Sequence, residues 1–320
     1  MARDGNNSAS YHPLNISSMS ESILVTFNPA PSDAGKRLDL YLLEMLPAYS
    51  RARLQDWVKS GNVSVDGRTP KPSYSLRGTE TIVVTPLELR PLRAEAEDIP
   101  LDVLYEDASV IAINKPAGMV VHAGAGNHTG TLVNALIHRF QQLSTVGGDL
   151  RPGIVHRLDR YTSGVILVAR DDASHRHLAA QFSGRSVKKI YHALVHGVMK
   201  SDTGHIEKPI ARDPVHRTKM TTKLASGRHA VSDYRVLQRF EKHTLVEVKI
   251  GTGRTHQIRV HLSSTGHPVV GDSLYGAPGL PRFFLHARRI TFQSPATGED
   301  VTVESPLPPE LDDIISRLAC

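Results

Sequence analysis

The sequence predicts an α+β fold in which a small N-terminal domain precedes a larger domain with a mixed, mostly antiparallel sheet flanked by helices. Strand-like segments dominate after Leu101, and helical patterns interrupt them without the strict strand–helix–strand alternation of a doubly wound fold. A stretch with proline and clustered charge separates this region from two short helical patterns near the N-terminus. At 320 residues the chain is long enough for more than one domain.

The first twenty residues are polar and rich in serine and asparagine, and we expect residues 1–20 to be disordered. They contain no apolar run typical of a signal peptide, and no later stretch approaches the length that spans a membrane. These features predict a cytoplasmic protein without membrane contact. The single cysteine, Cys320, excludes a disulfide framework and a cysteine-based zinc site.

Residues 21–85 are predicted to form one compact unit. Leu38 and three later apolar side chains at helical spacing indicate a first helix, which Pro47 ends. Ser50 is expected to cap a second helix, RARLQDWVKS, which stops at Gly61. The alternating strand VSVDGR follows and ends in an Asp-Gly turn.

Residues 86–99 are predicted to be a linker, and residues 100–320 a second domain. Its strands are expected at VLYED, VIAINK, GVILVAR, KIYHALVHG, AVSDYRVLQRF and HTLVEVKI, and its helices at 131–140, 171–183 and 254–265. Asp171 and Asp172 begin the second of these helices, where capping and the helix dipole explain two acids.

The net charge of +6 is distributed unevenly along the chain. Residues 207–228 carry six Lys/Arg and two Asp/Glu, and residues 251–290 carry five arginines and one acid, Asp272. Residues 86–107 and 291–320 are acidic. This alternation is compatible with one surface that faces a polyanion, and equally with basic residues that only contact water.

Nucleotide and metal sites are not indicated. In HAGAGNHTG (122–130), Thr129 stands where a dinucleotide fingerprint needs its third glycine, and no phosphate-binding GxxxxGK[ST] loop occurs. His192 and His196 have the spacing of a helical metal site, but their segment alternates like a strand and lacks the adjacent glutamate of a zinc protease. We therefore predict no metal.

Three stretches place charged residues among apolar ones: HRLDRYTSG (156–164), KKIYHALVHG (188–197) and GRTHQIRVHL (253–262). A lone buried carboxylate is unfavourable, so Asp159 needs a cationic partner. An arginine from the third stretch would keep it ionised, and Tyr191 could offer a stacking face for a planar ligand. The alternative is an Asp–Arg pair that only ties loops together.

These three stretches closely resemble the motifs of the RluA/RluD family of ribosomal large-subunit RNA pseudouridine synthases. VIAINKPAGMVVH, GTLVNAL, GHPVVGDSLYG and LHARRITF also match, so the resemblance covers about residues 35–320. The N-terminal unit resembles the alpha-L RNA-binding domain, named after a protein of the small ribosomal subunit. It departs from that domain's usual Gly-Asp at Gly78-Thr79-Glu80. Phe283 stands where a glutamine is frequent in the synthases.

The resemblance implies isomerisation of uridine to pseudouridine in RNA, without a cofactor or metal. It implies that Asp159 is the catalytic aspartate, that Tyr191 packs against the target base and assists removal of the C5 proton, and that Arg254 pairs with Asp159. The predicted substrate contacts are His156, Arg157, Arg160, Thr162 and Arg259, with Arg157 associated with the flipped-out nucleotide. The predicted RNA-binding cations are Arg37, Arg51, Arg53, Lys59, Lys188 and Lys189.

The expected partner is large-subunit ribosomal RNA or an assembling ribosomal subunit. Two alternatives remain open on the sequence. One is a non-catalytic RNA-binding factor for ribosome assembly, and the other is a synthase that acts on transfer RNA.

Overall fold

The computed structural model describes residues 24–47, 49, 51–86, 94–122, 129–148, 151–277 and 279–319. The chain divides into two units, Met1–Arg90 and Pro91–Cys320. The predicted disorder of residues 1–20, the Ser50 cap and much of the predicted linker lie outside the described residues.

The N-terminal unit packs two helices on a small sheet. Its elements are β1 (Val25–Phe27), α1 (Leu38–Met45), α2 (Arg51–Lys59), β2 (Val63–Val65) and β3 (Ile82–Val84). The strands are antiparallel in the order β1-β3-β2. Leu38 of α1 is buried together with Leu54 and Trp57 of α2, which confirms the apolar spacing predicted for the first helix. Asp66 and Gly67 have φ values of 49° and 74°, and they form the predicted turn after β2.

The departure at Gly78-Thr79-Glu80 is accommodated by hydrogen bonds. Gly78 has a φ of +85°, and a Cβ there would come within 2.7 Å of the Ala30 carbonyl oxygen. The buried Glu80 carboxylate accepts the backbone N–H groups of Arg77, Gly78 and Thr79. Burial alone would raise the pKa of Glu80, but these donors lower it to about 2.

The second unit is built on one large sheet. Its strands are β4 (Val103–Glu106), β5 (Val110–Lys115), β6 (Ser163–Ala169), β7 (Lys188–His196), β8 (Thr203–Glu207), β9 (Ala211–Arg212), β10 (Met220–Thr221), β11 (Val231–Arg239), β12 (His243–Ile250), β13 (Leu285–Gln293) and β14 (Asp300–Glu304). Its helices are α3 (Leu132–Arg139), α4 (Asp172–Gly184), α5 (Gln257–Ser264) and α6 (Pro309–Ala319).

The strand order of this sheet is β4-β5-β6-β13-β7-β12-β11-β8, with β14 also paired to β13. The β6–β13 pairing is parallel, and the other pairings in the sheet are antiparallel. Strands β9 and β10 form a separate hairpin. The sheet is therefore mixed and mostly antiparallel, as predicted.

Strand β6, predicted as GVILVAR, is buried along its whole length. Val165 and Leu167 belong to one apolar cluster and Ile166 and Val168 to another, because successive side chains point to opposite faces of a sheet. Both faces of the sheet are thus covered at β6. This buried strand begins directly after the segment that contains Asp159.

The helix predicted at 254–265 begins later than expected. His256 has a left-handed φ of 55°, so the helical hydrogen bonds start only at Gln257. Arg254 consequently lies in the preceding loop. Within the described ranges, no helix combines the length and apolar character needed to cross a bilayer.

Candidate active site

Asp159 lies in a tight turn that leads into β6. Thr162 donates its backbone N–H to the Asp159 carbonyl at 3.0 Å, and the Thr162 side chain is buried. Arg160 donates from Nε to the Gly118 carbonyl at 2.9 Å, which ties the turn to the loop after β5. The backbone is therefore held in place while the Asp159 side chain remains 19% exposed.

Lys115 at the end of β5 joins the same two loops. It is fully buried, and its Nζ donates to the carbonyls of Pro116, Met119 and Arg160 at 2.7, 3.0 and 3.2 Å. Burial and the charge of Arg282 lower the pKa of Lys115 to about 7, although Asp159 acts in the opposite direction. No role was predicted for this lysine from the sequence.

The cationic partner of Asp159 is Arg259, and the prediction that it is Arg254 is wrong. Arg259 donates from Nη1 to Asp159 Oδ2 at 3.1 Å. Arg254 instead donates from Nε to the His229 carbonyl at 3.1 Å. The late start of α5 explains the difference, because it puts Arg259 in the first turn of the helix and leaves Arg254 in the loop.

Asp272 holds the other edge of the Arg259 guanidinium. Arg259 donates from Nε and Nη2 to the two Asp272 oxygens at 2.6 and 2.9 Å, and both side chains are buried. The guanidinium carbon lies 4.3 Å from the ring centre of Phe283 and 5.2 Å from that of Tyr275. Burial alone would lower the pKa of Arg259, but Asp272 and Asp159 raise it above its usual value.

Tyr191 lies on β7 and lines the same pocket as Asp159. Its ring is buried, with 8% exposure, and its hydroxyl has no hydrogen-bond partner among the described residues. Burial raises the pKa of Tyr191 far above its usual value, and the negative charge of Asp159 adds to this effect. Its hydroxyl is therefore protonated at neutral pH in the free protein.

The pocket in front of Asp159 has a volume of about 90 Å³. Its apolar lining comes from Leu158, Tyr191, Ile250, Ile258 and Leu285, and its charged lining from Arg157, Asp159, Arg254 and Arg259. One carboxylate thus meets an apolar slot and several arginines. This combination suits a flat, partly apolar ring that is attached to an anionic backbone.

His156, a predicted substrate contact, is not in this pocket. Its Nε2 accepts the backbone N–H of Leu167 at 2.9 Å, and its ring stacks on Phe182 with 4.6 Å between the centres. Burial and the charge of Lys189 lower the pKa of His156 to about 3. The ring is neutral at physiological pH and supports the start of the Asp159 segment.

Lys188 and Lys189 do not line the pocket either. Lys189 is buried on the same face of β7 as Tyr191, with Nζ 5.6 Å from the Phe182 ring centre. Lys188 is exposed on the opposite face, because side chains alternate along a strand. Among the described residues, no group of three or more His, Cys, Asp or Glu side chains could hold a metal ion.

Comparison with known proteins identifies the family of the larger domain. The family model described as RNA pseudouridylate synthase matches residues 109–264, which include Asp159, Tyr191 and Arg259. A "Ribosomal large subunit pseudouridine synthase D" of Xanthomonas campestris is 44% identical over 303 residues, covering 90% of each chain. The chain belongs to the RNA pseudouridine synthase family.

Further relatives of this synthase match over most of their length. An "Uncharacterized RNA pseudouridine synthase YlyB" of Bacillus subtilis is 43% identical, covering 88% of this chain and 94% of its own. Among solved structures, human RNA Pseudouridylate Synthase Domain Containing 1 is 27% identical with a TM-score of 0.56, covering 70% of this chain and 97% of its own. The predicted family and enzyme class are confirmed.

The N-terminal domain of the synthase matches the S4 domain model over residues 36–82, which confirms the predicted alpha-L type. Arg37 and Arg51 both bind the fully buried Asp39 carboxylate, at distances between 2.9 and 3.1 Å. Each keeps 45% of its side chain exposed. Arg53 lies over the Trp57 ring at 5.9 Å, and the exposed Lys59 is 3.9 Å from Asp56.

Asp272, Lys115 and Phe283 support the site around Asp159, and none of the three was predicted to do so. A signal for Asp272 was present, because it is the single acid among five arginines in residues 251–290. Phe283, seen only as a departure from the family, stacks on the arginine of the synthase active site. The contact of Lys115 with three carbonyls has no signature in the sequence.

Proposed function

We propose that this synthase isomerises uridine to pseudouridine in large-subunit ribosomal RNA, with Asp159 as the reacting carboxylate. The ribosomal substrate is supported by relatives in Xanthomonas campestris and Pseudomonas aeruginosa, both named ribosomal large subunit pseudouridine synthase D. The S4 domain, with its half-exposed arginines, supports binding of structured RNA.

The observation that carries the proposal is the asymmetry of Asp159. Its Oδ2 is held by Arg259, whereas its Oδ1 has no hydrogen-bond partner among the described residues. The side chain lines a pocket with the Tyr191 ring and the apolar side chains of Ile250 and Leu285. A carboxylate that is ion-paired through one oxygen can react through the other.

The chemistry needs little more than this carboxylate. The N1–C1′ bond breaks, the base turns while it is held, and C5 bonds to C1′, with a proton lost from C5 and one gained at N1. No electrons are exchanged with an external group. Asp159 either attacks the sugar or the base as a nucleophile, or removes a sugar proton as a base.

Tyr191 is suited to follow the state of Asp159. Part of the increase in the Tyr191 pKa comes from the negative charge of Asp159. Asp159 loses that charge when it forms a bond to the substrate or takes up a proton, so the hydroxyl becomes easier to ionise at that moment. We infer that Tyr191 stacks on the base first and assists loss of the C5 proton afterwards.

The target nucleotide must leave its stack to reach Asp159, at a cost of about a few kcal/mol. Arg157 is exposed, lines the pocket and has no carboxylate partner among the described residues. Its planar guanidinium can stack in the gap that the nucleotide leaves. This supports the substrate contact predicted for Arg157.

Replacement of the carboxylate tests the assignment of Asp159. We expect Asp159→Asn to abolish tritium release from C5-labelled uridine in RNA while RNA affinity persists. Asp202→Asn is the matched control, because Asp202 is 83% exposed and pairs with Arg239. Normal turnover by Asp159→Asn would show that another group performs the chemistry.

The substrate is tested by mapping pseudouridines in ribosomal and transfer RNA from cells with and without the gene. Loss of pseudouridine from large-subunit RNA, restored by the wild type but not by Asp159→Asn, is the expected result. Loss confined to transfer RNA would favour the transfer-RNA alternative. No loss in either RNA, with a defect in subunit assembly, would favour the non-catalytic factor.

A further inference from the structure

His256 combines a strained backbone with a place in the pocket. It precedes α5 with a φ of 55° and a ψ of 20°, a left-handed conformation that is strained for a residue with a Cβ. Its carbonyl accepts the Val260 N–H at 2.9 Å, so the helix holds this conformation in place. Its side chain lines the pocket in front of Asp159. Backbone strain of this kind is concentrated at functional sites, so the position points to a role for the His256 ring in the pocket.

Tyr275 holds one edge of the His256 ring. The Tyr275 hydroxyl lies 3.0 Å from Nδ1 of His256, and the two rings meet edge to face with 5.8 Å between their centres. The same hydroxyl accepts the backbone N–H of Met220 at 2.8 Å. Tyr275 is buried and does not line the pocket. The Nδ1 edge of His256 therefore turns away from the pocket and leaves Nε2, which has no hydrogen-bond partner among the described residues, on the pocket side.

The hydrogen bonds decide which nitrogen of His256 carries the hydrogen. Burial raises the pKa of Tyr275 to about 12, so the hydroxyl keeps its proton at neutral pH. That proton needs an acceptor, and within the part of the chain that the structure describes the acceptor is Nδ1 of His256. Burial lowers the pKa of His256, so the ring is neutral. A neutral ring that accepts at Nδ1 carries its hydrogen on Nε2, so His256 presents one N–H donor to the pocket.

We propose that His256 donates this Nε2–H to a carbonyl oxygen of the target uracil, both before and after the base turns. A neutral donor suits a neutral carbonyl, whereas the arginines that line the pocket suit phosphate. This inference rests on the proposed function, because it takes uridine in RNA as the substrate.

The symmetry of uracil allows one fixed donor to serve both orientations. Formation of pseudouridine exchanges the places of N1 and C5, which is a half-turn of the base about the axis through N3 and C6. The same half-turn exchanges O2 and O4, so the donor meets a carbonyl oxygen at the start and at the end. Cytosine carries an amino group in place of O4 and would lose the acceptor in one of the two orientations. His256 would thus hold the base and select uracil.

Sulfur-substituted RNA tests this bond in the full-length protein, because sulfur is a much weaker hydrogen-bond acceptor than oxygen. Single-turnover release of C5 tritium is measured with uridine, 2-thiouridine or 4-thiouridine at the target position. His256→Asn is compared with the wild type, since asparagine tolerates left-handed backbone but is too short to place a donor at the Nε2 position. The variant should isomerise uridine about tenfold more slowly, as for one lost neutral hydrogen bond. At least one sulfur substitution should slow the wild type about tenfold more than it slows His256→Asn.

The control is His216→Asn, which changes a histidine that is 72% exposed and should respond to both sulfur substitutions as the wild type does. If both substitutions slow the wild type and His256→Asn by equal factors, His256 makes no bond to the base, and the proposed function stands without it. If His256→Asn does not unfold cooperatively in urea, Tyr275→Phe takes its place, because it removes the hydroxyl that orients the ring. A smaller sulfur effect than in the wild type is then expected, and equal factors would overturn the inference. If the wild type makes no pseudouridine in any RNA, both proposals fail.

Discussion

Asp272→Asn is the substitution that best tests how Asp159, the proposed reacting carboxylate, is held. The change keeps the shape of the side chain. It replaces one of the two oxygens that accept bonds from Arg259 with an N–H₂ group, which cannot accept a bond and faces the N–H of Arg259. Both partners are almost fully buried, with 7% and 1% exposure. Loss of one partner of such a pair costs about 3 kcal/mol of unfolding free energy.

The catalytic effect follows from the freed guanidinium. Arg259 would keep its bond to Asp159 and one bond to the remaining oxygen at position 272, so it would rotate and move the Asp159 carboxylate with it. A displacement of about 1 Å reduces the rate about 100-fold, or about 2.7 kcal/mol of activation free energy. We expect this loss in kcat, with KM nearly unchanged, because Asp272 does not line the pocket.

Single-turnover tritium release at saturating RNA and urea unfolding measure the two effects separately. The control is Glu310→Gln, which removes an exposed carboxylate 3.6 Å from Arg282 and should cost less than about 1 kcal/mol. If Asp272→Asn unfolds more easily but keeps kcat within threefold of the wild type, Asp272 is only a structural partner and our reasoning about Arg259 is wrong.

Two further predictions concern the loop anchors. Lys115→Met should destabilise the protein by about 2 to 4 kcal/mol in urea unfolding, because three carbonyls lose their donor. It should also lower kcat, because the Asp159 turn loses one of its supports. An unchanged kcat would show that Lys115 does not position the Asp159 turn. Glu80→Gln should cost about 3 kcal/mol at pH 7, since the folded pKa of about 2 lies below the usual 4.5. That contribution to stability is present above pH 4.5 and is lost as the pH falls towards 2. If the wild type and Glu80→Gln still differ by the same unfolding free energy at pH 2, the low pKa of Glu80 is not the cause.

The parts of the fold that could be predicted are those governed by local periodicity. The buried strand after Asp159 and the helix capped by Asp171 follow from side-chain spacing and from a cap, and both are present. The start of α5 could not be predicted in the same way. Left-handed backbone at His256 has no sequence signature comparable to glycine, and it decides that Arg259 rather than Arg254 meets Asp159.

Strand alternation separates the two lysines of β7 that are predicted to bind RNA. Since Tyr191 faces the pocket side of β7, Lys189 shares that side and Lys188 faces away. The burial of Lys189 against Phe182 could not be deduced, because Phe182 comes from a different element, α4. Local rules give the direction of a side chain, whereas tertiary packing decides whether that direction leads to solvent.

Two Asp–Arg clusters among the described residues, one at Asp39 and one at Asp159, differ in a way that supports the proposed role of Asp159. Asp39 is fully buried, and both of its oxygens accept bonds: Oδ1 from Arg37, and Oδ2 from Arg37, Arg51 and Gln55. Asp159 receives one bond, at 3.1 Å, from an arginine whose two shorter bonds go to Asp272. Paired charge-assisted bonds are the stronger ones, so Arg259 is anchored on Asp272 and lends Asp159 a single N–H. Asp159 thereby gains a fixed position and keeps one oxygen available for the substrate, which an Asp–Arg pair that only ties loops together would not require.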